Sequence, residues 1–158
     1  MKVIKKERLK RAVAELLVKA NIDLREDVMG LLGKALKKER NGRSRFILKS
    51  IIGNAVIAKR ERIPICQDTG LPVIFIEIGN EVKIEGGDLE GIIDEAIREG
   101  TRKGLLRESA VEPVFNRSYI SKRAGVIHLK MAQGDKLKLT VLPKGFGCEN
   151  KTTLKMFK

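Results

Sequence analysis

IPICQDTGLPVIFIEIGN, residues 63–80, decides how the rest of the chain is read. The residue before Pro64 is biased away from helix, so the chain leaves helical structure at Ile63. The run VIFIEI, 73–78, then combines β-branched and aromatic side chains with a single charge. That composition predicts a strand buried on both faces, or nearly so. Gly79-Asn80 ends it. Between the two prolines sits a polar turn, CQDTG at 66–70, which places one of only two cysteines ahead of the strand, beside an amide, a carboxylate and a hydroxyl.

N-terminal to this stretch the period is helical. Leu9, Val13, Leu16, Leu17 and Ala20 form one stripe, predicting an amphipathic helix over 4–21. Asn21 and Asp23 supply turn and cap chemistry. A second helix follows with Val28, Leu31, Leu32, Ala35 and Leu36 as its apolar face. After Asn41-Gly42 a third runs from Ser44 to about Arg60, directing Ile47, Leu48, Ile51, Ile52, Ala55 and Val56 toward a core.

C-terminal to the stretch, EVKIEGG adds a short paired strand, and residues 88–105 form a helix capped by Asp88 with Leu89, Ile92, Ile93, Ala96 and Ile97 inward. Residues 106–125 are long for a connection without regular structure, and such connections are usually functional. VIHLKM and KLKLTVL then alternate around Gln133-Gly134-Asp135, which predicts a β-hairpin. The fold class is α+β: an N-terminal helical segment, 1–62, followed by an α/β segment, 63–158, with a mixed β-sheet, a packed helix and a C-terminal β-hairpin. The two segments are expected to form one structural unit, truncated at its C-terminus.

The 158 residues suffice for one domain with a real core, and 42% hydrophobic with 34% charged residues is a globular rather than a disordered composition. Charge interrupts every apolar run before membrane-spanning length, and the basic start lacks the apolar centre of a signal peptide. Two distant cysteines make no disulfide framework, which predicts a reducing, cytoplasmic location. Lysine and arginine number 33 against 20 acids, a formal charge of +13. Such an excess suits nucleic acid, anionic small molecules or an acidic partner. The basic clusters mostly carry neighbouring acids and aromatics are only 4%, so solvated helix surface accounts for the charge better than nucleic-acid binding.

The residues themselves leave the chemistry open. Cys66 on a turn at a strand entrance can face a cluster or metal, with Gln67 and Asp68 positioned to bond a polar ligand or move a proton. An inert, half-buried cysteine in a capped turn, with Asp68 and Thr69 bonding local backbone, is the commoner fate of a lone thiol. KGFGCEN, 144–150, follows a strand and has glycines that let backbone N–H groups approach an anion, yet it matches neither the Rossmann nor the P-loop pattern. Arg107 can fork onto a carboxylate or simply face solvent. His128, the single histidine, falls mid-strand opposite Ile127 and Leu129, solvent-facing or interfacial, and is given no catalytic role. Cys66 and Cys148 together fall short of a metal site.

Taken jointly, ILKSIIGNAVIAKRERIPICQDTG (47–70), LLRESAVEP (105–113) and PKGFGCENKT (143–152) resemble the α portion of class I, iron–sulfur-dependent fumarate hydratases and the related L-tartrate dehydratase α subunits. The resemblance covers nearly the whole chain, and PxCQDTG followed by PKGxGxEN is specific. It implies reversible addition of water across a dicarboxylate double bond, assisted by a [4Fe–4S] cluster held by three cysteines with one iron open to substrate. By the same resemblance Cys66 is the first cluster cysteine, Gln67 and Asp68 are the active-site pair beside the cluster, Arg107 binds a substrate carboxylate, and Gly145 and Gly147 line the pocket.

Three departures qualify what is implied. Position 148 is cysteine where the family usually has serine or another small residue, and Cys148 is not assigned to the cluster on that ground. NRSYISKRAG, 116–125, lacks the usual Asn-Thr-Gly-Asp-Asn-Thr-Pro run. The other two cluster cysteines would lie beyond the glycine loop, and the base with further substrate-binding groups in a β subunit or domain. The expectation is therefore the N-terminal part of an α subunit, a piece or a natural fragment, inactive and without a stable cluster by itself, with a β partner and possible homo-oligomers. A non-catalytic assembly module of the same fold and a basic nucleic-acid-binding domain are the competing readings.

Overall fold

The computed structural model describes residues 1–108, 124–145, 147 and 152–157. Its elements run β1 (Lys2–Lys5), α1 (Lys6–Ile22), α2 (Glu26–Lys38), α3 (Gly42–Glu61), β2 (Leu71–Gly79), β3 (Val82–Glu85), α4 (Leu89–Lys103), β4 (Val126–Ala132) and β5 (Leu137–Lys144). The α+β class holds: helices pack on a mixed sheet of three strands, ordered β4-β2-β5, with β4 parallel and β5 antiparallel to β2.

That order corrects the expected hairpin. β4 and β5 do not pair with each other; both pair with β2, and residues 133–136 arch over its end. Crossing from one neighbour of a central strand to the other spans about 10 Å, within the roughly 13 Å reach of four extended residues. The arch is bonded to the strand end it crosses. Gly79 N–H donates to Lys136 O at 2.8 Å, and Asn80 exchanges side-chain bonds with Gln133 Oε1 (3.1 Å) and Gly134 N–H (2.8 Å). A Cβ on Gly79 would sit 2.0 Å from Gly134 O, so only glycine lets the arch close. β2 takes the centre because its side chains are the most buried of any strand, and two neighbours satisfy both rows of its backbone groups.

β2 is buried on one face and only partly on the other, where Val73 is buried but Phe75 is exposed, so the expected burial on both faces holds in part. Ile74, Ile76 and Ile78 point into the core with Leu9, Val13 and Leu17 of α1 and Ile92, Ile93, Ala96 and Ile97 of α4. On the opposite face Phe75 is 41% exposed and stacks on His128 of β4 at 4.9 Å between ring centroids. The stripes of α1 and α4 are those the sequence predicts, and the core draws on both sides of Arg62. Ala14 and Gly100 bring these two helices together: a Cβ on Gly100 would be 3.0 Å from Ala14 O. Across the exposed rim Lys6 bonds Glu95 at 2.7 Å and Lys10 lies 3.4 Å from Glu99, solvent-screened pairs that add little beside roughly 1.5–3 kcal/mol for each large buried aliphatic side chain.

The start of α1 and the faces of α2 and α3 also differ from expectation. Residues 2–5 form β1, paired in parallel with β3, so the first helix begins at Lys6 rather than residue 4. Lys2, Val3 and Ile4 align with Val82, Lys83 and Ile84, which gives β3 a partner from the N-terminus rather than from its sequence neighbour. On α3 only Ala55 and Ala58 are buried, while Ile47, Ile51 and Val56 are exposed together with Phe46 and Ile57; on α2, Leu31 and Ala35 are exposed and no residue is fully buried. α3 is apolar around most of its circumference, and α1 and α2 cover one side of it. Among the described residues no helix is long and apolar enough to cross a membrane.

Candidate functional site

The CQDTG turn is held from three directions. Its entry is fixed at Ile65, whose N–H donates to Asn21 O at the end of α1 (2.9 Å) and whose carbonyl accepts from Asn54 Nδ2 on α3 (2.8 Å). Asn21 is itself buried and donates Nδ2–H to Leu17 O at 3.1 Å, which fixes the last turn of α1. Both backbone groups of the residue before Cys66 are thus satisfied, one by distant α1 and one by the preceding α3. Cys66 stands next on the turn as an exposed free thiol, and Gln67 and Asp68 beside it are exposed too.

The second tie runs to the glycine loop. Asp68 Oδ1 accepts from Gly70 N–H at 3.2 Å, closing the turn locally, and Oδ2 accepts from Gly147 N–H at 3.3 Å. A Cβ on Gly145 would lie 2.9 Å from that same Oδ2, so a glycine is required for the loop to lie against the carboxylate. Gly70 has φ +71°, and its α-carbon abuts the backbone of Lys144 and Gly145. The structure therefore brings together Asp68, Gly145 and Gly147, three of the residues singled out from sequence. Cys148 and the greater part of residues 106–125 lie outside the described residues.

The third tie runs to Arg107. Thr69, only 4% exposed, accepts from Arg107 N–H at 2.9 Å and reaches Arg107 O with its hydroxyl at 3.4 Å. Arg107 follows directly on the end of α4, which closes in a Schellman pattern: Leu106 N–H to Thr101 O (2.9 Å) and Leu105 N–H to Arg102 O (3.3 Å). The left-handed position there is Leu105, φ +53°, where glycine is usual. Leu105 is 80% exposed and contributes little packing. Leu105→Gly is therefore expected to raise stability by about 0.5–1 kcal/mol, read from urea midpoints. A fall of that size would mean the left-handed conformation carries no strain.

Thr69, Asn21 and Asn54 were not picked out as site residues from sequence. Only the buried polar character of Thr69 and Asn21 marks them, and that is visible once the fold is known. Chemically, the arrangement offers an exposed thiol, an amide, a carboxylate fixed by backbone N–H groups, and a guanidinium on an anchored backbone. As a cluster site it fits in part. Cys66 is exposed and can ligate iron without rearrangement, yet among the described residues no group of three His, Cys, Asp or Glu side chains could hold a metal ion. The described residues offer one exposed thiol, the kind of donor an iron–sulfur cluster takes.

Comparison with known proteins bears on the same segments. A family profile described as "Fumarate hydratase (Fumerase)" matches residues 10–158. A Methanocaldococcus jannaschii protein named "Putative L(+)-tartrate dehydratase subunit alpha" is 36% identical over 155 residues, covering 92% of this chain and 53% of that protein. A Geobacillus stearothermophilus protein named "Putative fumarate hydratase class I" is 30% identical over 149 residues, covering 92% of this chain and 29% of that one. An Escherichia coli protein named "L(+)-tartrate dehydratase subunit alpha" is 27% identical over 146 residues, 89% and 48% respectively. The chain spans about half the length of the tartrate dehydratase relatives and under a third of the Geobacillus protein.

Proposed function

Because the chain belongs to the fumarate hydratase (fumerase) family of hydro-lyases, which takes in class I fumarate hydratases and L-tartrate dehydratase α subunits, we propose that it is the N-terminal part of the α portion of a cytoplasmic hydro-lyase that interconverts fumarate and malate. The observation that carries this reading is the turn 66–70, where an exposed Cys66, Gln67 and Asp68 are tied through Asp68 to the glycine loop. A [4Fe–4S] cluster, held in part by Cys66, would supply a Lewis-acidic iron for the hydroxyl and carboxylate oxygens of the substrate.

The chain's own residues do the remainder of its share. Arg107 presents a guanidinium fork to one substrate carboxylate. Gln67 hydrogen-bonds a substrate oxygen, and Asp68 carries a proton at the reacting end. Two backbone N–H bonds fix the direction of the Asp68 side chain, which suits a group that must meet one atom of a small substrate. Gly145 and Gly147 let the loop backbone approach that substrate as closely as it approaches Asp68. The base that takes the carbon-bound proton, the two other cluster ligands and further cationic groups are assigned to the rest of the α portion and to a β subunit, in keeping with relatives named as α subunits.

Dehydration of L-tartrate is the second reading, favoured by the name of the 36% identical relative. Both substrates are dianions and use the same residues here, so the choice between them rests on assay. The complete α chain, assembled with its β partner and reconstituted anaerobically, is expected to consume fumarate and yield malate, with L-tartrate as the competing substrate. Turnover of L-tartrate alone selects the second reading. Turnover of neither by an iron-replete assembly rejects both.

A further inference from the structure

Within the proposed substrate-binding reading of Arg107, we infer that Thr69 is the positioning residue that sets this arginine, through its backbone and not its side chain. The sequence places Thr69 and Arg107 38 residues apart, on a turn before a strand and on the exit of a helix. The fold brings them together so that one buried hydroxyl serves both backbone groups of Arg107, accepting from N–H at 2.9 Å and approaching O at 3.4 Å. A hydroxyl is the smallest side chain that can accept and donate at once, and valine of the same shape can do neither. The hydroxyl is buried and the contact part-buried, so water replaces a lost partner only incompletely.

The geometry on either side of the contact points the same way. Leu105 is held at positive φ and Leu106 N–H is bonded to Thr101 O, so the two residues before Arg107 have no slack. Asp68, the neighbour of Thr69, is tied to the glycine loop. Thr69 thus couples the direction of the Arg107 side chain to that of the Gln67-Asp68 pair, and the contact uses only backbone atoms of Arg107, leaving the guanidinium to a ligand. Small displacements of such a group are costly, since binding a dicarboxylate at both ends requires its cationic partner within a fraction of an ångström.

The test compares Thr69→Val with Thr69→Ser in the assembled, cluster-loaded enzyme. Thr69→Val is expected to raise KM for the dicarboxylate by about tenfold while kcat falls by less than about threefold, the split of lost substrate positioning, and Thr69→Ser to restore KM to within about twofold. In the same proteins hydrogen exchange is followed on the peptide containing Arg107, where Thr69→Val should speed exchange by at least about tenfold and Thr69→Ser should not. Unchanged protection in Thr69→Val overturns the inference. So does faster exchange with an unchanged KM, which would reduce Thr69 to a structural role. Should the wild-type assembly turn over neither fumarate nor tartrate, the proposed function fails instead, and the exchange comparison still decides whether Thr69 holds Arg107.

Discussion

Gly70→Ala is expected to destabilise the protein by about 3 kcal/mol or more, lowering Tm by roughly 10 °C. Two costs add. At φ +71° an L side chain meets its own carbonyl, worth about 1–2 kcal/mol. The new methyl would also lie 2.5 Å from the carbonyl carbon and oxygen of Lys144 and 2.7 Å from Gly145 N. These are backbone atoms at the end of β5, locked in register opposite Leu71, so they cannot swing aside as a side-chain tip would. Relief must come by separating the CQDTG turn from the glycine loop, and the Asp68–Gly147 bond should go with it. Helical Gly53→Ala is the matched control: nothing lies within 4 Å of its added methyl, and it should gain up to about 1 kcal/mol from helix propensity. Parallel urea melts check both. A Gly70→Ala protein as stable as wild type would mean that the contact between turn and loop is not rigid.

Cys66→Ser separates chemistry from structure. The cysteine is exposed, and the turn is fixed by the backbone of Ile65 and the side chains of Asp68 and Thr69, none of which involves sulfur. Stability should therefore stay within about 0.5 kcal/mol of wild type, as for an ordinary surface substitution. Iron and acid-labile sulfide of the assembled enzyme should fall severely, and hydro-lyase activity by about a thousandfold or more, because a hydroxyl is a poor substitute for a thiolate on iron. Metal analysis and denaturation on the same preparation check the two halves independently. Full iron content with full activity would remove Cys66 from the ligand set.

Comparing these sites with the sequence shows what periodicity encodes. The stripes of α1 and α4 are legible because each helix has one apolar face and a single place to bury it. The alternation in 137–144 assigns its face correctly, with Leu137, Leu139 and Val141 packed on the core, whereas in 126–132 only Ile127 packs there and Leu129 and Met131 are exposed. It carries no information about partners, and a short polar link suits a hairpin and an arch equally. Gly79-Asn80 held the missing signal: the glycine makes room for the arch, and the asparagine bonds Gln133 and Gly134. α3 misled for another reason, since a helix apolar on most sides does not disclose which side will be covered. At the site, residue chemistry favours an inert thiol at Cys66, and the motif resemblance reverses that reading toward the ligand. The anchoring by Asn21, Asn54 and Thr69 was hidden because each acts on backbone that only tertiary folding brings near.

The central place of β2 also bears on how the chain is made. Both of its sheet partners are encoded later: β4 begins 47 residues after β2 ends and β5 follows that. At typical synthesis rates of about 5–20 residues per second, an isoleucine-rich strand with two bare edges waits on the order of several seconds for its neighbours. Until then α1, already complete, and α4, finished before β4 begins, can shield the isoleucine face, but neither covers the backbone edges. Sheet closure is then a long-range event that the 133–136 arch must finish across Gly79, slow by the logic of contact order. Nascent chains halted between α4 and β4 should be the form most prone to chaperone capture and strand-to-strand aggregation.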